Sequence, residues 1–469
     1  MTFNSLPFLI FLPIIVITYY LLSPKWRWIM LLAASYLFYM WWNPAYIILI
    51  LVSTLISFYS SQAIERQTSK KGKKKYLYLC LIINLGILFT FKYYGLFSQA
   101  FTSIADIFGV KAQLPFLNLL LPVGISFYTF QTLSYTLDVY FGKQKAETHL
   151  GYFALFVTFF PQLVAGPIER YDRLSPQLKS PHHPSYENFS NGLRLILFGL
   201  FIKMVIADNL APYVEEIYSQ PSAYNTYHLL AGLGFYSFQI YSDFYGYSTI
   251  ALGSALLLGV NLMDNFKTPY LSANIREFWR RWHISLSTWF RDYVYIPLGG
   301  NRVKWSRWAL NIFIVYTLSG LWHGANWTFL IWGTIFGLMF IIERFCYERF
   351  GITSTQKWGI RRIFGVIITF TIVTLAWIFF RSSSLSNALT MFEALWNNTA
   401  LADSWRPDPF IMFWLSLFIL LDILLFNNRF DKWCSKKPLW LRWTIYTLLI
   451  FGITAFSGID NQPFIYFQF

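Results

Sequence analysis

The sequence has six histidines, and two of them stand where an ionisable ring carries chemical meaning. His323 interrupts an otherwise apolar run, within Leu321-Trp322-His323-Gly324-Ala325-Asn326-Trp327. An imidazole titrates near neutral pH, so it can take a proton from a hydroxyl or thiol as a general base. In a bilayer such a group is costly unless it faces a polar cavity or a partner. The same residue also fits a packed histidine hydrogen-bonded to a neighbouring helix. Gly324 permits close backbone approach and Asn326 adds a second polar group, and these two neighbours favour the chemical reading.

His283 lies in Phe278-Trp279-Arg280-Arg281-Trp282-His283-Ile284-Ser285-Leu286-Ser287. It fits an interfacial position among arginines as well as a place beside a substrate. Arg280, Arg281 and Arg291 have the geometry to hold phosphates of a nucleotide-bearing acyl donor, or equally anionic lipid headgroups. Asp243, in Tyr241-Ser242-Asp243-Phe244-Tyr245-Gly246-Tyr247-Ser248, is a carboxylate inside an apolar run, as are Asp138 and Asp208 near the ends of theirs. Such a group is a functional candidate, with an arginine of another helix as the alternative partner. His149, His182, His183 and His228 read as surface residues. Cys80, Cys346 and Cys434 are far apart, without metal or disulfide spacing, so no metal site is expected. Phosphate-loop, dinucleotide, zinc-protease and serine-elbow motifs are missing from the sequence.

The elements that must position these residues are membrane elements. Over 469 residues the chain is 56% hydrophobic, 13% charged and 21% aromatic, with a mean hydropathy of +0.44. A soluble chain carries about 25% charge, so the apolar excess faces lipid. The formal net charge of +15 fits basic cytoplasmic turns better than nucleic-acid binding. An all-α polytopic protein is expected, as one integral domain over residues 1–469, with about 11–13 membrane elements at roughly 20 residues per crossing. The apolar runs fall near 5–22, 27–42, 44–63, 76–98, 114–140, 150–168, 188–210, 228–262, 308–343, 361–380, 409–427 and 440–457. Lys25 and Arg27 follow the first run, the next gap is uncharged, and Lys70 to Lys75 follow the third. That alternation puts the N-terminus outside. Arg429, Lys432, Lys436 and Lys437 mark another cytoplasmic turn, which puts Phe469 outside as well.

Two stretches depart from simple spans. Residues 265–309 mix Arg276, Arg280, Arg281 and Arg291 with Trp279, Trp282 and Trp289, the composition of amphipathic helices in the cytoplasmic interface. Residues 308–343 would make one helix on the order of 50 Å long, against roughly 30 Å of hydrocarbon. Their flanks are basic on both sides, from Arg302 to Arg307 before and from Arg344 through Lys357 to Arg362 after. An even number of crossings or a re-entrant turn follows, with His323 deep at its middle. Two functions fit: a membrane enzyme with His323 as base, and a transporter whose substrate path the same polar groups line.

The chain resembles the bacterial membrane-bound O-acyltransferases, MBOAT, and among them the alginate O-acetyltransferase membrane subunits. The resemblance runs over nearly the whole length, through Leu121 to Gln131, Phe160 to Ile168, Phe278 to Ser287, Arg291-Asp292-Tyr293, Tyr295 to Arg302, Gly320 to Ala325 and the tail Phe464 to Phe469. It implies that His323 matches the catalytic histidine and His283 the second histidine. It also implies a ring of helices around a thin centre, where funnels from both faces meet. The implied activity takes an acyl group, usually acetyl from acetyl-CoA, on the cytosolic side of the bacterial inner membrane. An extracytoplasmic SGNH-type acetyltransferase would then place it on a polysaccharide such as an alginate-like exopolysaccharide, or on peptidoglycan. No bound cofactor is implied. D-alanyl transfer from a carrier protein to teichoic acid is the related alternative. Relatives read Asp-Phe-Ser-Gly-Tyr-Ser-Asp where this chain has Asp243 to Thr249, so the second carboxylate is replaced by Thr249. On this reading His323 is general base or transient acyl relay beneath a rim containing Arg280 and Arg281. Asn326 orients the imidazole or stabilises an oxyanion, and Trp322 and Trp327 wall out water.

Overall fold

The computed structural model describes residues 1–111, 114–115, 117, 119–164, 166–351, 358–397, 405–457 and 464–465. Phe116 and Asn118 of the fifth run, Ala165 of the second motif, the flanking Lys357 and the tail from Tyr466 to Phe469 lie outside the described residues. Among the described residues all regular structure is helical. Among the described residues six helical stretches are long and apolar enough to cross a membrane: Pro44–Arg66, Lys70–Ile107, Tyr186–Ser219, Trp327–Phe350, Ile360–Arg381 and Leu439–Phe456. Leu6–Leu21 and Pro409–Leu424 are apolar but shorter. The chain packs as two compact units, Met1–Phe189 with Ser254–Met263, and Ser190–Gly253 with Asp264–Phe469.

In the first unit two apolar runs are only partly helical, and prolines mark the breaks. The 114–140 run becomes helical only at Ile125–Tyr140, because Pro122 precedes it and Gly124 adopts φ +75°. A side chain at Gly124 would meet the Leu163 carbonyl at 2.8 Å. The 150–168 run stops at Thr158 and restarts as the short helix Phe160–Leu163. Pro161 has no N–H to continue the ladder, and the Phe160 N–H donates instead to Ser35 Oγ at 3.1 Å.

In the second unit the 308–343 run is two helices, Trp305–His323 and Trp327–Phe350. They lie antiparallel in close contact. A side chain at Gly320 would come within 2.2 Å of the Phe329 carbonyl, and one at Gly333 within 2.3 Å of the Tyr316 carbonyl. Small residues at such crossings let helix backbones approach, which is how helices associate when lipid supplies no hydrophobic drive. Thr317 and Thr334 hydroxyls meet across the same seam at 3.2 Å. Asn326 starts the second helix as its N-cap, accepting from Thr328 N–H at 3.2 Å.

Residues 265–309, expected as interfacial helices, bury much of their aromatic content in protein. They include two seven-residue helices, Ile275–Arg281 and Ile284–Phe290, and across these and the turn between them Phe278, Trp282, His283 and Ser285 are completely buried. The reason is their aromatic content: Trp282 packs on Phe278, Tyr241, Tyr270 and Trp377. The arginines of the segment lie around this aromatic wedge.

Candidate active site

The core of the second unit brings the two histidines together. His323 occupies the last turn of the Trp305–His323 helix and is 2% exposed. His283 is 0% exposed and sits at the N-cap of Ile284–Phe290 with a left-handed backbone, φ +43° and ψ +54°. That conformation is unfavourable for a side chain with a Cβ, so its surroundings must impose it. Asn265 does so twice, its carbonyl accepting from Ile284 N–H at 3.0 Å and its Oδ1 from Ser285 N–H at 3.3 Å. Just upstream, Lys267 N–H donates to the Arg281 carbonyl at 3.0 Å. A short extended segment thereby clamps the turn from which the ring projects.

The imidazole centroids are 6.2 Å apart. Trp322 touches both rings, at 5.7 Å from His283 and 5.0 Å from His323. Trp332 and Phe380 pack edge-on against His323 at 5.0 and 5.3 Å, and Phe244 against His283 at 4.7 Å. This aromatic jacket excludes water, so any charge developing inside it is weakly screened. Burial pushes the His283 imidazole down to about 3, which keeps that ring neutral across the physiological range.

The other expected site residues are distributed differently. Asn326 does not orient an imidazole. Its Oδ1 caps the next helix and its Nδ2 donates to the Ser383 carbonyl at 2.8 Å. Trp327, expected as a wall, is 52% exposed, because the first residue of the helix after the turn points away from the packed seam. Arg281 is committed to Glu277 at 3.0 Å and to the Lys267 carbonyl at 3.0 Å, and lies over the Phe426 ring. Glu277 also receives the buried Arg362 at 2.8 Å. Burial works to raise the Glu277 carboxyl, but the hydrogen bonds of Arg362 and Ala273 and the nearby guanidinium charges hold it below its ordinary value. Arg280 is exposed, and Arg291 is exposed and paired with Asp292 at 2.8 Å. Trp322 lines the histidine pair directly.

Asp243 does not reach the imidazoles. It pairs with Lys203 at 2.7 Å and accepts from Ile465 N–H at 2.6 Å, while Lys203 also holds Asp208 at 2.5 Å. The partner is therefore a lysine, not an arginine. Phe464 packs on Phe244 and Tyr247, so the ion pair anchors the tail segment against the ring that backs His283. Thr249 is buried and donates to the Tyr245 carbonyl at 2.6 Å. Two members of this region were not singled out in the sequence. Trp332 looks like any core aromatic within an apolar run, yet it borders His323, and its indole N–H has no hydrogen-bond partner among the described residues. Lys203 carries a clearer signal, a lysine in the middle of an apolar run.

Two buried imidazoles with aromatic neighbours, one at the end of an apolar helix and one at the N-cap of a short helix, are of a type suited to proton transfer at a reacting carbonyl. Comparison with known proteins shows the family. The family model for MBOAT, the membrane-bound O-acyltransferase family, matches residues 144–386. The chain is 36% identical to the probable alginate O-acetylase AlgI of Pseudomonas putida over 100% of both chains. It is 32% identical to the peptidoglycan O-acetyltransferase of Helicobacter pylori, over 98% of this chain and 95% of that one. It is 30% identical to the teichoic acid D-alanyltransferase of Streptococcus thermophilus, over 55% of this chain and 68% of that one. The chain belongs to the membrane-bound O-acyltransferase family. It is a multi-pass membrane enzyme that transfers acyl groups to hydroxyls, and this replaces the transporter alternative.

Proposed function

We propose that this enzyme takes an acetyl group from a cytosolic thioester donor such as acetyl-CoA and passes it across the bacterial inner membrane, for O-acetylation of an extracytoplasmic polysaccharide of alginate-like or peptidoglycan type. The observation that carries the proposal is the buried His283–His323 pair with rings 6.2 Å apart, in a chain whose full-length similarity is to proteins named as O-acetylases. His323 acts as the general base. It takes the proton of a hydroxyl of the outer-face partner that attacks the thioester carbonyl, and gives it to the thiolate as the C–S bond breaks, which leaves the acetyl group as an ester on that partner. His283, neutral, orients the acyl group or the attacking hydroxyl by hydrogen bonding. Trp322 seals the chamber, and the exposed Arg280 and Arg291 are placed on the donor's approach. The acetyl group leaves through an SGNH-type partner on the outer face, which chooses the final acceptor, and both chain termini lie on that face. The similarity to the D-alanyltransferase covers 55% of this chain, and full-length similarity favours acetyl over D-alanyl.

The test is a donor comparison. Purified enzyme with its outer-face partner is given radiolabelled acetyl-CoA in one reaction and a D-alanyl-charged carrier protein in another. Label on the polysaccharide from acetyl-CoA alone is expected. Label from the D-alanyl carrier alone would overturn the acetyl assignment.

A further inference from the structure

The second unit contains a cavity whose lining includes neither histidine. Its volume is about 210 Å³, below the roughly 300–1,000 Å³ of pockets that enclose a whole drug-sized ligand. It suits a compact polar group better than an acyl chain. The floor is made of short polar side chains, Ser248, Thr249, Asn265 and Thr268, all four buried.

The mouth is cationic. Lys267, Lys432 and Lys436 line it, together with Arg429. Arg429 is largely neutralised, by Asp431 at 2.7 Å and by Asp264 at 3.5 Å. Asp264 is the acidic member of the lining, and that contact offsets its charge. The three lysines make no ion pair among the described residues, and all are exposed. A small polar cavity beneath exposed ammonium groups matches a group with several anionic acceptor oxygens.

We propose that this cavity is a phosphate-recognising site, in which the short polar side chains of the floor receive the phosphate and Lys267, Lys432 and Lys436 supply the charge. Two sources carry that chemistry, the phosphates of a nucleotide-bearing acyl donor and the headgroup of an anionic lipid. Its position gives it leverage, because Asn265 is also the residue that clamps the backbone around His283. If the phosphate is the donor's, the inference deepens the proposed function and rests on it.

Full-length enzyme in phosphatidylcholine nanodiscs is titrated calorimetrically with sodium pyrophosphate. Saturable binding is expected, weakening as salt is raised. Lys432→Ala with Lys436→Ala, both exposed and remote from the fold's core, should bind at least roughly tenfold more weakly, the loss expected for one or two charged hydrogen bonds, with unchanged melting. A second arm uses phosphatidylglycerol nanodiscs and native mass spectrometry. Retained phosphatidylglycerol that pyrophosphate displaces, and that the double variant fails to retain, identifies a lipid source. Binding of pyrophosphate equal in both disc types identifies a soluble phosphate. Absence of saturable binding and of retained lipid, or equal affinity in the double variant, overturns the site. Failure of the acetyl-donor reading would leave pyrophosphate binding intact, which separates the two.

Discussion

Replacing Gly333 with alanine tests whether the helix pair around His323 is as tightly set as the structure shows. A methyl group at that position would lie 2.3 Å from the Tyr316 carbonyl and 3.0 Å from the Gly320 Cα. Ordinary contact begins at 3.4 Å, so the seam must open by about 1 Å, and both obstacles are backbone with no rotamer to yield. Overpacking of this kind costs about 1–3 kcal/mol. Gly320 lies one turn before His323 on the displaced helix, so the imidazole moves with it. A misplacement of about 1 Å at a reacting group costs on the order of 10²-fold in rate. Acyl transfer by Gly333→Ala should therefore fall far more than the amount of folded protein does. The assay pairs thermal unfolding in detergent with turnover of radiolabelled acetyl-CoA. Gly86→Ala is the control, since no atom lies within 4 Å of its added methyl. A Gly333→Ala enzyme with wild-type melting and turnover would refute the claim that this seam positions His323.

Three other outcomes follow from the geometry. His283 has a folded value near 3 against 6.5 for the free ring; the neutral ring's contribution is complete above pH 6.5 and is lost as pH falls from there toward 3. Wild-type stability should thus drop by about 1.4 kcal/mol per pH unit from this one proton, and His283→Gln should flatten the slope; an unchanged slope in pH-dependent melting would contradict the burial argument. Lys203→Met should destabilise more than Asp243→Asn, because it strands two carboxylates, whereas the latter leaves the Lys203–Asp208 pair; breaking a buried pair costs about 3–5 kcal/mol, and equal melting temperatures would contradict the ordering. Asp243→Asn should also loosen the tail, raising hydrogen exchange at the Ile465 amide that donates to it; unchanged protection there would count against the anchor.

Composition and run length were enough to read an all-α membrane chain, because lipid imposes the same two demands on every span. His323 was legible for the same reason, as a titratable group set in an apolar run too long for one crossing. The approach of His283 was not legible from spacing, since nothing in a basic aromatic segment states that its tryptophans will bury it and leave the arginines around it. Three contacts had local signals. Asn326 before Trp327-Thr328 is the residue type that caps a helix start. Glu277 and Arg281 are spaced for an intrahelical pair. Lys203 is as anomalous in its run as Asp243 is in its own, and the two identify each other. Trp332 had no such signal, because an indole beside a reactive ring and an indole in a core look alike in sequence.

The central claim is that His323 moves the proton in acyl transfer, and His323→Gln tests it most directly. Glutamine keeps a polar side chain of similar reach but cannot accept a proton near neutral pH. Purified variant enzyme, with melting equal to wild type, is supplied with radiolabelled acetyl-CoA and the outer-face partner. Loss of label transfer by roughly 10²–10⁴-fold, the usual share of a general base, is the predicted result. Transfer within a few-fold of wild type by a folded His323→Gln enzyme would contradict it.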